Sequence, residues 1–383
     1  MKKVLINLYY TYIYIMYKIL CLFLLILGVK AFNSNMPTNN LWSLLKEPFK
    51  DKARKFFINR AKSIGIPWSE LKLKYNNKET MEQLKKIYDY MRDERIKYPY
   101  YYLEPFHGYE EGNLNWDAAT ENEAATMSIS ANYWDGYSIN DSIGYVRKNF
   151  TEKIKDYNKN RINKILDIGC SIGVSTNHLK NEFENAKFVF GVDLSPYFLS
   201  IAEYNDIKVN KNNLNFLHQN AESLDLNNDD FDLVTASFLF HEVPKEPTKK
   251  ILREAYRVLN DGGTLAIIDL DPNKLKDKLD KDYFKRFFFE STEPHIYEYY
   301  NTNLEEELIK CNFKNIKKYS NDPLNTVWLA TKYKDKPLNF DDPNTLFLGN
   351  NLYNTPKQDI EYINSFVLKS KYKNKKFSSN ILN

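Results

Sequence analysis

The stretch ILDIGCSIGVST at Ile165–Thr176, together with FGVDLS at Phe190–Ser195, decides how this chain folds. Each begins as an apolar, β-branched run, which is typical of a buried strand, and each run reaches an acidic residue. In the first stretch the acid is followed by Gly-x-x-x-Gly, from Gly169 to Gly173. Glycines at these positions let the backbone approach a ligand where any Cβ would collide. The pair of stretches therefore predicts a nucleotide-binding crevice at the ends of two parallel strands.

The acid in the second stretch indicates which kind of nucleotide would bind. Asp193 lies about 20 residues after Gly173, where a doubly wound fold places the carboxylate that accepts hydrogen bonds from both ribose hydroxyls. A dinucleotide would favour Gly-x-Gly-x-x-Gly, because its pyrophosphate needs backbone approach at the first helical turn. Here Cys170, Ser171 and Ile172 separate just two glycines. The spacing predicts an adenosine site with no pyrophosphate.

Strands and helices alternate along the rest of this region, which is the pattern of a parallel sheet with helices packed on it. A helix is predicted at Thr248–Leu259, with a glycine stop and a tight turn over Asn260–Gly263. We predict an α/β fold: a doubly wound, mostly parallel seven-stranded sheet with a C-terminal antiparallel hairpin and a helical N-terminal cap. The other predicted elements are strands at Leu214–Leu217, Phe231–Ser237 and Gly263–Asp269, a helix at Asn303–Cys311, and hairpin strands at Phe313–Ser320 and Thr326–Thr331.

In these residues the chain resembles the methyltransferase family that has a seven-stranded Rossmann-like domain, in particular its quinone-biosynthesis and small-molecule subgroup. The resemblance covers roughly Arg161–Lys332 and implies S-adenosylmethionine as the cofactor. Ser171 stands where many members of the family have glycine. The resemblance implies that Asp167, Gly169 and Gly173 hold the methionine end, Asp193 the ribose, Leu194 the adenine face, and Asn220, Ala221 and Glu222 the adenine edge, with Cys170, Ser171 and Ser237 completing the cofactor site.

Two residues beyond the fourth predicted strand are candidates for catalysis. The strand runs from Ser237 into His241 and Glu242, over the expected position of the methyl group. His241 can be neutral near pH 7 and accept the proton of a hydroxyl acceptor, and Glu242 is the weaker candidate for the same role. The alternative is a His-Glu pair that caps or packs the next helix.

The motifs narrow the acceptor and leave three hypotheses. Asn/Asp-Pro-Pro-Tyr after the fourth strand would indicate methylation of amino groups on bases, and a nucleophilic cysteine would indicate cytosine C5; neither is present. The leading hypothesis is O-methylation, or C-methylation, of a small, partly aromatic or prenylated molecule. The second is a noncatalytic cofactor-binding scaffold for a protein partner. The third is protein methylation, with Glu110, Glu111 and Glu293 lining an acidic groove.

Two segments outside the core fold are expected to enclose the acceptor. Glu79–Arg95 has apolar residues at helical spacing and is predicted to be an amphipathic helix. The aromatic segment that follows contains Pro105–Trp116, a pattern similar to one in plastid and cyanobacterial methyltransferases. We expect the cap and the insertion Asp271–Asn301 to meet above the methyl donor. The alternative for most of the aromatic residues is packing against the sheet edge.

Composition excludes several other kinds of function. The net charge of +4 comes from basic residues scattered among almost as many acidic ones, so no nucleic-acid partner is expected. The chain has 3 cysteines, at spacings that fit neither a disulfide framework nor a zinc site, and no metal is expected. The composition does not set an oligomeric state.

The ends of the chain indicate targeting. Residues 1–31 combine Lys2 and Lys3, an apolar run and a small-residue cleavage pattern, which predicts a secretory signal; a retained signal anchor, the one expected membrane contact, is the alternative. The basic segment 32–65 resembles a transit peptide and suggests a plastid entered through the secretory pathway, although an ordinary basic surface helix would look similar. The predicted parts that follow are a cap at 66–160, the methyltransferase domain at 161–333 with its insertion at 271–301, and a mostly disordered tail at 334–383.

Overall fold

The computed structural model describes residues 54–130, 138–209, 214–281, 286, 289–290 and 292–334. The predicted signal, most of the transit-like segment and nearly all of the tail lie outside these residues. Among the residues described, no helix is both long and apolar enough to cross a membrane. The predictions about the ends of the chain therefore stay predictions.

The centre of the fold is a seven-stranded sheet in the order β3-β2-β1-β4-β5-β7-β6. The first five strands run parallel, and β7 pairs antiparallel with both β5 and β6. The strand order reverses between β1 and β4, which makes this gap the place where a doubly wound sheet binds its ligand. The strands are β1 Lys164–Ile168, β2 Phe188–Asp193, β3 Leu214–His218, β4 Phe231–Ser237, β5 Leu259–Leu270, β6 Phe313–Ser320 and β7 Asn325–Lys332. The predicted fold class and hairpin are confirmed.

Helices connect the strands and form the cap. Ser195 begins the helix after β2, because its Oγ accepts the Phe198 N–H and Pro196 is preset for the first helical position. The helices are α1 Trp68–Tyr75, α2 Lys78–Met91, α3 Trp116–Ser130, α4 Ile139–Tyr157, α5 Val174–Glu182, α6 Pro196–Lys208, α7 Lys245–Val258, α8 Pro272–Leu279, α9 Ile296–Tyr300 and α10 Leu304–Lys310, with 3-10 turns at Tyr100–Leu103 and Phe240–Glu242.

The cap helix α2 packs on the core as its sequence predicts. Leu84 and Ile87 are buried against Phe198 and Ile201 of α6. The helix ends at Met91, four residues before the predicted end, because the next residue turns to an extended conformation. That turn carries the chain towards β3, where the cap meets the cofactor side of the sheet.

The predicted glycine stop and tight turn between α7 and β5 are wrong. Helix α7 ends at Val258, and β5 begins at once with Leu259. Asn260–Gly263 lie inside the strand as an irregularity, where pairing with β4 shifts register and Gly262 has a φ of 77°. A bulge can absorb extra residues and a left-handed glycine without ending the strand. Residues of the kind that often end a helix therefore lie within a strand here.

Candidate active site

The glycine loop after β1 has the backbone that its sequence requires. Gly169, Ser171 and Gly173 all lie in the left-handed region, with φ of 70°, 51° and 80°. A Cβ on Gly173 would lie 2.8 Å from the ring of Phe216, and one on Gly169 would lie 3.0 Å from Leu239. The conformation of Ser171 accounts for the glycine of other family members at this position, since glycine adopts it without strain. The loop is thus fixed by close packing on both sides.

Asp193 lies where the sequence predicts, at the carboxyl end of β2 beside the glycine loop. Its two carboxylate oxygens accept the backbone N–H groups of Ser195, at 2.8 Å, and Ser171, at 2.9 Å. Burial raises the pKa of Asp193 to about 6, against the effect of these two hydrogen bonds. Each oxygen keeps the capacity to accept another hydrogen bond. The position fits a ribose contact, which remains a prediction.

Asp167 is fully buried beneath the loop. Its carboxylate accepts hydrogen bonds from the hydroxyls of Ser175 at 2.6 Å, Thr176 at 2.7 Å and Thr235 at 2.8 Å. Burial raises its pKa, against these three hydrogen bonds. Because the three hydroxyls come from α5 and β4, the carboxylate joins these elements to β1. The contact with the methionine end that the resemblance implies remains a prediction.

Arg147 of α4 lies near enough to Asp167 to interact with it electrostatically, which the sequence analysis does not predict. Burial lowers the pKa of its guanidinium to about 10, and the nearby carboxylate of Asp167 opposes that shift. Within the described part of the chain the guanidinium has no salt bridge. No sequence pattern singles out Arg147, because α4 precedes the methyltransferase domain and Arg147 is one of several basic residues in that helix.

The residues predicted for the adenine edge form a turn after β3. Asn220 Oδ1 accepts the N–H of Glu222 at 2.9 Å. The carboxylate of Glu222 accepts the hydroxyl of Tyr101 at 2.9 Å and the ammonium of Lys250 at 3.0 Å. Ala221 packs on the core beside this turn. The cap therefore reaches the predicted adenine edge through a tyrosine.

His218, the last residue of β3, makes a second link between the cap and the cofactor side. Its Nδ1 accepts the Asp93 N–H at 2.9 Å, and its Nε2 lies 3.0 Å from the carbonyl oxygen of Leu194. A ring nitrogen that accepts leaves the other to donate, so Nε2 carries the proton and the imidazole is neutral. Burial lowers the pKa of His218 accordingly. The predicted adenine-face residue Leu194 is thus held by a histidine.

His241 and Asp269 form a buried pair on the other side of the glycine loop. His241 Nδ1 lies 2.7 Å from Asp269 Oδ1, and this carboxylate also accepts three backbone N–H groups, of Phe240, His241 and Leu270. The hydrogen bond to Asp269 holds a proton on Nδ1, so Nε2 is the nitrogen of His241 that gains or loses the titrating proton. Burial lowers the pKa of His241, but Asp269 outweighs it and raises the pKa to about 9. At pH 7 the imidazole is therefore mostly a cation, which corrects the expectation that it is neutral there.

Asp269 could have been found from the sequence. Like Asp167 and Asp193, it is an acid at the end of a buried apolar strand. The residue was read as part of the fifth strand, without a role in the site. Ser237 ends β4 nearby, and Phe238 after it has a φ of 57°, a strained conformation at the point where the chain turns towards His241.

The cap and the insertion meet at His107, as expected. His107 N donates to the carbonyl oxygen of Thr292 at 3.1 Å, and its Nε2 lies 2.9 Å from Glu293 Oε1. Glu242 Oε1 lies 4.0 Å from Nε2 of His107 and also 4.0 Å from Nε2 of His241. Among the described residues no group of His, Cys, Asp and Glu is arranged to hold a metal ion. The cluster brings two histidines, His107 and His241, together with the carboxylates of Glu242 and Glu293.

The strand order, the glycine loop at the point where that order reverses and the acid after β2 define the class: a Rossmann-like methyltransferase domain. Comparison with known sequences agrees, because residues 165–263 match the family described as "Methyltransferase domain". The resemblance to S-adenosylmethionine-dependent methyltransferases is confirmed for this domain.

Several named proteins are similar to the chain. Demethylmenaquinone methyltransferase of Oceanobacillus iheyensis is 30% identical over 150 residues, which cover 38% of this chain and 62% of the relative. The enzyme of the same name from Listeria monocytogenes is 32% identical over 105 residues (27% and 44%), and an uncharacterized methyltransferase of Synechocystis is 33% identical over 107 residues (28% and 47%). The chain thus spans about half the length of the curated relatives it matches.

Solved structures with a similar fold include two methyltransferases. A putative S-adenosyl-L-methionine-dependent methyltransferase of Methanococcus maripaludis has a TM-score of 0.43 and 15% identity, covering 58% of this chain and 95% of that one. Phosphoethanolamine N-methyltransferase 2 of Haemonchus contortus, in complex with S-adenosyl-L-methionine, has a TM-score of 0.38 and 17% identity, covering 49% and 52%.

Proposed function

We propose that the chain is an S-adenosylmethionine-dependent methyltransferase that methylates an oxygen, or a carbon, of a small and partly apolar acceptor. The methyltransferase domain supports the reaction class. Relatives named demethylmenaquinone methyltransferase support an acceptor with a quinone-like ring. The observation that carries the proposal is the His241–Asp269 pair beside the glycine loop.

The residues present fit the cofactor. Ser171 Oγ in the glycine loop is buried and has no hydrogen-bond partner among the described residues, which suits a polar ligand. Asp193 would accept the ribose hydroxyls, and Arg147 could neutralise the carboxylate of the methionine end. When bound, the cofactor supplies an electrophilic methyl group on its sulfonium.

The position of Leu239 supports a place for His241 near that loop. Leu239, in the same turn as His241, packs against Gly169 closely enough that a Cβ on the glycine would lie 3.0 Å from it. The residues of the site hold the acceptor near the methyl group, and positioning of this kind contributes much of the rate. His241 Nε2 accepts the proton of the acceptor hydroxyl, and Asp269 stabilises the imidazolium that results.

The proposal is tested by binding and then by turnover. Calorimetry with S-adenosylmethionine and S-adenosylhomocysteine should detect binding to the full chain. Transfer of a radiolabelled methyl group is then assayed with quinols, phenols and fractionated metabolite extracts. A chain that binds neither cofactor form would end the proposal, and binding without transfer to any acceptor would favour the scaffold hypothesis.

Protein methylation is less well supported. Glu110 and Glu111 are exposed, whereas Glu293 is buried against His107. These three acids do not line one open groove. A peptide mixture in the radiolabel assay provides the direct check, and labelled peptides in place of labelled small molecules would reverse this choice.

We also propose that residues 1–65 direct the chain into the secretory pathway and from there to a plastid. The basis is the composition of residues 1–31 and 32–65. A fluorescent reporter fused to residues 1–65 should reach the plastid, and one fused to residues 1–31 should stop in the secretory pathway. A reporter that remains in the cytosol would contradict the proposal.

A further inference from the structure

The proposed reaction releases one proton per turnover, and the structure restricts how that proton can leave. Methylation of a hydroxyl would form an O–C bond as the S–C bond of the sulfonium breaks and a neutral thioether leaves, and the hydroxyl proton would pass to His241 Nε2. The imidazole cannot pass it on through Nδ1, because Nδ1–H is held by Asp269 at 2.7 Å. The side chain of His241 is only 10% exposed. Another group must therefore take the proton from Nε2 before the next turnover.

Glu242 is placed to do so. Its Oε1 lies 4.0 Å from His241 Nε2, and its side chain is 25% exposed. That gap is longer than a hydrogen bond, so a small rotation of the carboxylate or one bridging water completes the path. We propose that Glu242 is the proton outlet of the site: the N–H bond at Nε2 breaks as an O–H bond forms on Glu242, and Glu242 then releases the proton to water. This inference rests on the proposed function.

His107 of the cap sets the acidity of this outlet. Its Nε2 lies 4.0 Å from Glu242 Oε1, and Glu293 Oε1 lies 2.9 Å from the same nitrogen. Burial raises the pKa of Glu242 to about 7, and His107 and His241 limit the rise. An acid with a pKa near the working pH both accepts and releases protons readily. The titratable groups that face Glu242 are His107, His241, Glu293, Asp269 and Tyr102.

His107 is thus a positioning residue that acts through Glu242. It belongs to the segment Pro105–Trp116, which the core fold does not require. Burial lowers the pKa of His107, but Glu293 outweighs it, so the imidazole is a cation over a wider pH range than usual. The cap therefore places a positive charge 4.0 Å from the outlet.

The first test follows the proton directly and needs no acceptor. The chain has 5 histidines, so their side chains can be assigned by NMR in the full chain, and the rate at which His241 Nε2–H exchanges with water can be measured. Glu242→Gln should slow this exchange about tenfold or more. Glu246→Gln removes an exposed glutamate four residues away and should leave the rate unchanged. Exchange at the wild-type rate in a folded Glu242→Gln protein would overturn the proposal.

Two further variants test whether Glu242 transfers protons or only supports the structure. Glu242→Asp keeps a carboxylate and should recover part of the exchange rate. His107→Gln removes the cation, which raises the pKa of Glu242, so the pH profile of exchange should move to higher pH. Thermal unfolding checks that each variant is folded. A profile that does not move would refute the role given to His107.

Turnover gives an independent readout with any acceptor that the methyl-transfer screen identifies. Slow turnover of Glu242→Gln should be restored by small buffers such as formate or imidazole, which replace a lost proton acceptor but do not repair a distorted fold. Loss of activity without rescue by buffer would count against the outlet. A wild-type chain that transfers no methyl group would refute the proposed function instead, and the NMR exchange experiment would still decide the role of Glu242.

Discussion

The two sides of the predicted crevice differ in the kind of group that surrounds their key side chains. On the predicted adenosine side, Asp167 and Asp193 accept hydrogen bonds from hydroxyls and backbone N–H groups, all within the core fold. On the acceptor side, His241 and Glu242 lie next to charged groups, and His107 comes from the cap. The donors to Asp167 and Asp193 are neutral groups that do not titrate, whereas His241, with a pKa of about 9, and Glu242, with a pKa of about 7, change charge with pH. The comparison indicates a rigid cofactor site beside a proton-transfer site that can be adjusted.

The sharpest test of this division is removal of the proposed base. His241→Gln should lower kcat by about 10²- to 10⁴-fold, because the acceptor loses the group that takes its proton. Cofactor affinity measured by calorimetry should not change. His178→Gln, a histidine of α5 that contacts Thr151, is the matched control. Loss of cofactor binding in His241→Gln would show that the two sides are not separate.

A second substitution tests the predicted adenosine side. Asp193→Ala should weaken binding of S-adenosylhomocysteine about a hundredfold, because two charge-assisted hydrogen bonds to ribose are lost together with the support of the Ser171 N–H. Calorimetry measures the change, and exposed Asp156→Ala is the control. An Asp193→Ala protein with wild-type affinity would remove the basis for the adenosine site.

The pH dependence should distinguish the two sides. His241 acts as a base only when neutral, and its pKa is raised to about 9, so kcat/KM should rise about tenfold per pH unit from neutral pH towards pH 9. Asp269→Asn removes the charge that raises this pKa, and the rise should then end at lower pH, with a lower plateau.

The free energy of unfolding should also depend on the pKa of His241, but it should fall as the pH rises. Because the folded pKa of His241 exceeds the ordinary value of 6.5, the His241–Asp269 pair stabilises the fold fully below pH 6.5 and loses that contribution as the pH rises through about 9. Unfolding in urea across this range, compared with Asp269→Asn, measures it. Identical pH profiles for the two proteins would contradict the assignment.

The smallest effect is expected at the link between cap and cofactor side. The pKa of His218 is lowered in the folded protein, so the hydrogen bonds of the neutral ring are fully present above pH 6.5. They are lost as the pH falls through the folded pKa, because the added proton on Nδ1 would face the Asp93 N–H. Asp93 and Arg92 are the charged groups near it. Amide exchange at Asp93, corrected for its intrinsic rate, should speed up in acid and lose this pH dependence in His218→Gln. An amide that exchanges equally at both pH values would contradict the link.

The same division explains what could be read from the sequence. The glycine loop, Asp193 and the hairpin were predicted because each depends on neighbours close in sequence. Arg147 and the partners of His107 depend on contacts between distant segments, which periodicity and spacing do not encode. Asp269 ends an apolar strand as Asp167 and Asp193 do, and only its pairing with His241 depends on such a contact. The irregular Asn260–Gly263 segment was misread because a helix stop and a strand bulge use the same residues.

The contact between Gly191 of β2 and Cys170 affects how the Cys170 thiol should react. A Cβ at this position would lie 2.8 Å from the sulfur of Cys170, so the thiol fills the space that a side chain on the strand would take. Burial raises the pKa of the Cys170 thiol well above its usual range, and thiols react with alkylating agents and peroxide as the thiolate. The glycine loop therefore carries a sulfur that stays reduced in air and resists labelling, and treatment with iodoacetamide should leave cofactor binding intact.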